Sequence, residues 1–343
     1  MEIETLSNSE SSFERVREQP GCVWRKIKKS VAFQKVFQCI LGIGTTIAFF
    51  AVILPLSLVL VGINILGLLI LGLSTPALAH QKGAKVWKIF KNKLLGLLSD
   101  LAALPKAALI TPFAFQTNSS FAVEEEKDKI VVFVHGFLHN KTCWGSLSKK
   151  LQKETRQDDS PITEKDIYSI NLGAPITVNS IETYARFLAT KLEQIRKRRN
   201  VETLNVVFDC HSMGGLVAGV FATQFAKEVN VKVLRLIANG TPWHGTPMAK
   251  LGSWAQCGKE MVPGHLIQTT LQNQIEEMSD KIFTIASKGD TIVPFPSAQG
   301  IHLPIPENNR IALTSPFGHL AMLGSSQATQ ENIRLIKEAW AQE

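Results

Sequence analysis

Six consecutive residues, Cys210-His211-Ser212-Met213-Gly214-Gly215, could present a reactive hydroxyl. A serine is a poor nucleophile until a neighbouring base takes its proton. On a sharp strand-to-helix turn its Oγ stands clear of the sheet, open to a base and to a substrate carbonyl. Such a turn brings two stretches of backbone almost into contact, so the residues two before and two after the serine must be small. Gly214 fills the second place. Cys210 fills the first, where glycine is usual; this departs from the strict G-x-S-x-G pattern but keeps a small side chain.

The flanks of the hexapeptide suit that turn. Leu204 to Phe208 is an apolar run that predicts a buried strand, and Gly214 to Val220 can start a helix. From Lys129 onward the same texture repeats. Strands are predicted at Ile130–Val134, Asp166–Leu172, Val231–Ala238, Lys281–Ala286 and Arg310–Leu313, and helices at Trp144–Glu154, Ile181–Arg199 and Gln330–Ala341. Strands that are apolar throughout, alternating with helices, predict a mainly parallel sheet covered on both faces.

Charge divides the chain differently. Residues 1–106 carry thirteen Lys/Arg and six Asp/Glu, a net +7, whereas the remainder is near neutral at +1. The basic excess belongs to the N-terminal third, so it does not suggest a nucleic-acid-binding domain. The cysteines Cys22, Cys39, Cys143, Cys210 and Cys257 are scattered, with no C-x-x-C or zinc-like spacing. They read as reduced thiols, and neither a metal nor a cofactor is implied.

Between Lys35 and Lys82 there is no Asp, Glu, Lys or Arg. One membrane span needs about 20 apolar residues, and this run is roughly twice that, with Pro55 near its middle. Lysines and arginines flank both ends, from Arg25 to Lys35 and from Lys82 to Lys93. Basic residues favour the cytoplasmic side. The expectation is therefore a polar, basic tail over 1–34 and a transmembrane helical hairpin over 35–82. Both hairpin ends, and the domain that follows, would lie on the cytosolic side. Residues 83–125 then form an amphipathic helix and linker. Trp87, Phe90, Leu94, Leu98 and Leu101 share one helical face, Lys93, Ser99 and Asp100 lie off it, and Pro105 is expected to close the segment. Two placements are open for this helix: the headgroup layer, or packed on the domain.

Residues 129–342 resemble an α/β-hydrolase of the lipase or serine-esterase type, and the catalytic domain is assigned to 126–343. Four patterns carry the resemblance, in order: Val134-His135-Gly136-Phe137, the Cys210–Gly215 elbow, Asn239-Gly240-Thr241-Pro242-Trp243-His244-Gly245-Thr246-Pro247, and the pair Gly289-Asp290 with Gly318-His319. The resemblance implies Ser212 as nucleophile, His319 as base and Asp290 as the carboxylate that orients it. It implies an oxyanion hole from the backbone N–H groups of Phe137 and Met213. His135 and His244 are expected near the substrate, His135 more as a loop-orienting residue than as a base. The His211 side chain is expected to point away from the site, and Asp209 is the second choice of acid. Residues between Pro247 and Lys281, with Trp254, Met261 and Leu266, suit either a lid or an outer helix.

The implied activity is hydrolysis of a carboxylic ester of a lipid through an acyl-enzyme, at a bilayer surface. An acyltransferase using the same triad, or a non-catalytic hydrolase-fold module that binds or shapes membranes, are the alternatives.

Overall fold

Strands this apolar can pair only where both faces of a sheet are covered. In the computed structural model, which describes residues 82–110, 127–172 and 177–342, they do. Strands β1 (Lys129–Val134), β2 (Ile167–Ile170), β3 (Leu204–His211), β4 (Val231–Asn239), β5 (Ile282–Ser287) and β6 (Arg310–Leu313) form one sheet in the order β2-β1-β3-β4-β5-β6. Every neighbouring pair is parallel. The described helices are α1 (Lys82–Ile110), α2 (Gly145–Glu154), α3 (Ile181–Arg199), α4 (Met213–Gln224), α5 (Gln256–Glu260), α6 (Leu266–Gln274), α7 (Phe295–Ala298) and α8 (Ser326–Trp340). This is a six-stranded, all-parallel sheet covered by helices, as the alternation of strands and helices predicted.

Alternate residues of each strand feed two cores. Ile130, Val132, Val134, Val206, Phe208 and Leu236 meet α3 and α4 through Leu188, Leu192, Leu216 and Val217. Val131, Phe133, Val207, Ile237 and Ile285 meet α2 and α8 through Leu147, Leu151, Ile333 and Ile336. Each fully buried aliphatic side chain of this kind contributes about 1.5–3 kcal/mol. Helix ends are set locally. The Ser180 side chain accepts from Thr183 N–H at the start of α3, and Asn200 in the left-handed conformation stops it. Four basic residues in its last turn complement the helix dipole. One of them is not solvated: Arg199 is buried, 3.5 Å from Asp166, and donates to the Lys127 and Lys165 carbonyls.

The strand order reverses direction between β1 and β3: the chain steps from β1 outward to β2, then returns to the other side of β1. Open α/β sheets bind ligands beyond the strand C-termini at such a point. Both the Ser212 turn and the His135-Gly136 loop leave the sheet there.

Several expectations are corrected. β3 runs three residues past Phe208 to His211, because Asp209, Cys210 and His211 are buried despite two of them being polar. α8 begins at Ser326, where Ser325 accepts from Ala328 N–H, rather than at Gln330. α1 does not close at Pro105 but continues to Ile110. The tail over 1–34 and the hairpin, apart from Lys82, lie outside the described residues. Among the described residues no helix is long and apolar enough to cross a membrane.

α1 packs on the domain through a face that includes Gly96, Leu97 and Asp100. These three are buried, whereas Trp87, Ile89, Leu95 and Leu98 are exposed, Trp87 by 59%. Of the expected apolar stripe, Trp87 and Leu98 are exposed while Phe90, Leu94 and Leu101 are half-buried.

Candidate active site

The site begins with a strained backbone. Ser212 closes β3 and caps α4 at φ 55°, ψ −127°. A non-glycine residue in such a region costs about 1–3 kcal/mol and persists only where its surroundings hold it. Here Ser212 N–H donates to the Asn239 carbonyl at 2.8 Å. Asn239 itself is fixed by donating to Asp209 at 2.8 Å and to the Cys210 carbonyl at 3.0 Å. The small residues are required by contact: a Cβ on Gly214 would lie 2.4 Å from the Val134 carbonyl oxygen, and one on Gly136 would lie 2.7 Å from the Ser212 Cβ. Cys210 is fully buried between Val134 and Ala238, and burial pushes its thiol up well above the ordinary value, which leaves it protonated.

The loops after β5 and β6 meet beside this turn. Asp290 is fully buried; its Oδ1 accepts from the Ile292 and Val293 N–H groups at 2.9 and 2.8 Å. Its Oδ2 lies 2.7 Å from His319 Nδ1. With Oδ1 occupied, Oδ2 is left to take the imidazole N–H, which fixes the tautomer with Nε2 unprotonated in the neutral ring. Gly240, at φ 58°, passes close above the pair; a Cβ there would sit 3.3 Å from both Asp290 Oδ2 and His319 Nδ1. The Asn239–Pro247 motif thus reaches the site through its glycine.

Burial pulls the His319 pKa down, but the charge and hydrogen bond of Asp290, with the charge of Asp100, outweigh it and leave the pKa raised.

The sequence-expected oxyanion donors lie where the β1 and β3 loops approach each other. Among the described residues, neither the Phe137 nor the Met213 N–H donates to a protein acceptor. Met213 is the first residue of α4, where N–H groups have no partner within the helix. The Phe137 ring leans against Trp254, with centroids 5.9 Å apart, and Trp254 is largely exposed. In the 247–281 insert, the short helices thus divide their roles: Trp254 borders the Phe137 loop, while Leu271 of α6 packs on Gly219 of α4.

The remaining histidines separate clearly. His135 is fully buried and donates from Nδ1 to the Gly136 carbonyl at 2.8 Å, while its Nε2 accepts from Leu172 N–H at 2.9 Å. Burial depresses its pKa to about 4. Both ring nitrogens are engaged with protein, which suits a residue that orients the loop carrying Phe137. His244 is partly exposed, with its ring 4.6 Å from that of His302. His211 does not point away from the site. Its ring packs 4.6 Å from that of His319, and its Nε2 donates to the His319 carbonyl at 3.0 Å. Burial first, then the neighbouring His319 and His139, keep it neutral. Asp209 is fully buried against Asn239, and burial pushes its carboxyl well up, so it serves the turn rather than the imidazole. Among the described residues no cluster of His, Cys, Asp or Glu could hold a metal ion.

Sequence reasoning missed a third contributor, α1. Asp100 accepts from three successive N–H groups of the histidine loop: His319 at 2.8 Å, Leu320 at 2.8 Å and Ala321 at 2.9 Å. Ser99 Oγ accepts from Gly318 N–H at 2.8 Å, and Lys93 donates to the Asp290 carbonyl. One signal was available: Asp100 is the sole acidic residue between Glu18 and Glu124.

Comparison with known proteins adds the following. Residues 124–291 match the family model described as "Putative serine esterase (DUF676)". Among solved structures, the product of gene lin2722 from Listeria innocua is similar over 62% of this chain and 95% of its own, at 14% identity and a TM-score of 0.46. Lipase BlEst2 from Bacillus licheniformis is similar over 63% and 94%, at 19% identity and a TM-score of 0.43. Phospholipase PlaB from Legionella pneumophila is similar over 46% and 39%, at 19% identity and a TM-score of 0.38. No curated protein matches the chain.

Proposed function

We propose that the chain is a serine hydrolase that cleaves carboxylic esters of lipids at a membrane surface. The observation that carries this reading is the Asp290–His319 contact, 2.7 Å long and buried, beside a serine held on a strained strand-to-helix turn. In the proposed reaction His319 Nε2 takes the Ser212 proton as Oγ attacks the ester carbonyl. Asp290 holds the ring and stabilises the imidazolium. The Phe137 and Met213 N–H groups receive the oxyanion. His319 then returns its proton to the leaving alcohol, and water repeats the sequence to release the acid. The match of residues 124–291 to a serine-esterase family supports the reaction class.

The lipid and membrane parts of the reading rest on other features. The exposed Trp254 beside Phe137 gives the site an apolar border. The charge-free stretch from 36 to 81, flanked by lysines, suits a hairpin anchor with both ends on the cytosolic side. The exposed Trp87, Ile89, Leu95 and Leu98 of α1 suit contact with acyl chains at the interface.

The test is labelling of the full chain with a fluorophosphonate, beside hydrolysis of lipid esters of graded chain length in mixed micelles. The expected result is labelling of wild type that Ser212→Ala and His319→Ala abolish, with hydrolysis lost in parallel. A folded wild type that neither labels nor hydrolyses any ester would leave a hydrolase-fold binding module instead. Labelling that survives Ser212→Ala would mean another nucleophile.

A further inference from the structure

Helix α1 approaches the triad more closely than its distance in sequence suggests. Two glycines allow this. A Cβ on Gly96 would lie 1.9 Å from the Gly289 carbonyl oxygen, and one on Gly318 would lie 2.2 Å from Asp100 Cγ. Gly289 precedes the acid and Gly318 precedes the base, so one helical face is fitted against both loops. Three backbone N–H groups converging on one carboxylate make a cradle of the kind that binds anions. Here the anion is built into the chain.

Resting on the serine-hydrolase reading, we infer that Asp100 is a positioning residue for catalysis, holding the backbone of residues 319–321 so that the His319 ring meets Asp290, and that α1 is thereby part of the working enzyme. Two effects follow from one side chain. The first is geometric: without the carboxylate, three N–H groups lose their acceptor and the histidine loop loses its fixed register. The second is electrostatic: a negative charge near the imidazole favours its protonated form. Burial, with the charge of Asp290, leaves the Asp100 pKa raised, although the Ala321 and Leu320 N–H groups and the nearby His319 oppose the rise. The groups facing His319 are Asp290 from the β5 loop, Asp100 and Lys93 from α1, His211 from β3 and His139 from the β1 loop.

Asp100→Asn separates this role from bulk. The amide is nearly the same shape, but one of its two ends is an N–H₂ donor. It can serve Leu320 and Ala321 through oxygen only by turning a donor toward His319 N–H. Gly96→Ala is the second variant; it leaves Asp100 intact and levers α1 away from Gly289. On the full chain, kcat and KM for a soluble chromogenic ester and the rate of fluorophosphonate labelling are measured across pH. The expected result for Asp100→Asn is a fall in kcat of about 10- to 100-fold, the scale of an ångström-sized misplacement, with KM little changed. The acid limb of kcat/KM moves to lower pH, because His319 loses a charge that raised its pKa. Gly96→Ala shifts both readouts in the same sense. A merely structural role would lower the amount of folded protein and leave the limb where it was. Folded variants with wild-type rates and limbs overturn this inference alone. A wild type that never labels overturns the hydrolase reading and this one with it. If Asp100→Asn does not fold, Gly96→Ala decides.

Discussion

At the residue scale, under the proposed mechanism, the arrangement around His319 would set the pH at which the protein works. The base must be neutral to accept the serine proton, and its pKa is raised above the ordinary 6.5 because Asp290 and Asp100 outweigh the effect of burial. The activity should therefore fall on the acid side of a midpoint above 6.5, which a pH profile of kcat/KM reads directly. Asp290→Asn should remove both the tautomer control and the charge. A loss on the order of 10⁴-fold in kcat is the expectation for a triad of this type, with the acid limb displaced downward in the residual activity. The proposed triad could be read from sequence because Ser212, Asp290 and His319 each stand in a short motif whose small neighbours announce a tight turn. Asp100 was not, since its partners lie 219 to 221 positions away and nothing local marks them. His211 was misjudged for a related reason: β3 and the following turn fix where its side chain leaves, but the loop after β6 supplies what it meets.

At the element scale the central strands β1, β3, β4 and β5 were readable from apolar runs, because burial on both faces leaves little polar alternation to interpret. Their ends were less readable. Asp209 and His211 look like loop residues, yet they are buried, with Asn239 donating to Asp209 Oδ1 and the His319 carbonyl accepting from His211 Nε2. The amphipathic α1 was legible as a helix, but the sequence left open whether it lies in the headgroup layer or packs on the domain. Hydrophobic periodicity says which side avoids water, and here the carboxylate-to-backbone bonds of Asp100 help hold the helix against the domain. The elbow gives a sharp element-level test. Gly214→Ala places a methyl against the Val134 carbonyl, a backbone atom that cannot rotate away. The expectation is a loss of about 1–3 kcal/mol in a urea melt, with labelling of Ser212 reduced more than stability alone explains. Gly145→Ala is the control, since a Cβ there meets nothing.

For the whole molecule, buried neutral histidines make the fold acid-sensitive. His135 has a folded pKa of about 4 against 6.5 unfolded, so the unfolded chain binds the extra proton between those values. Stability is full above pH 6.5 and falls as pH drops toward 4, by roughly 3 kcal/mol from this group if each unit counts about 1.4 kcal/mol. His211, also pulled down by burial, adds to the same trend. Urea midpoints at pH 7.5 and 5.0 should show the loss, and a folded His135→Gln variant should show less of it. A midpoint independent of pH would contradict the buried, neutral state of this ring.

The tie between Asp100 and the 318–321 loop also orders events in time. A chain is made from its N-terminus, so α1 exists long before the residues it must grip, and some two hundred intervening residues have to be synthesised and wound into the sheet first. During that interval the serine turn can form from β3 and β4 alone, yet it has neither its base nor the carboxylate that seats the base. Under the proposed mechanism, a nascent or truncated chain would carry the nucleophile without the means to activate it. The reaction would switch on only when the ends of the described fold meet.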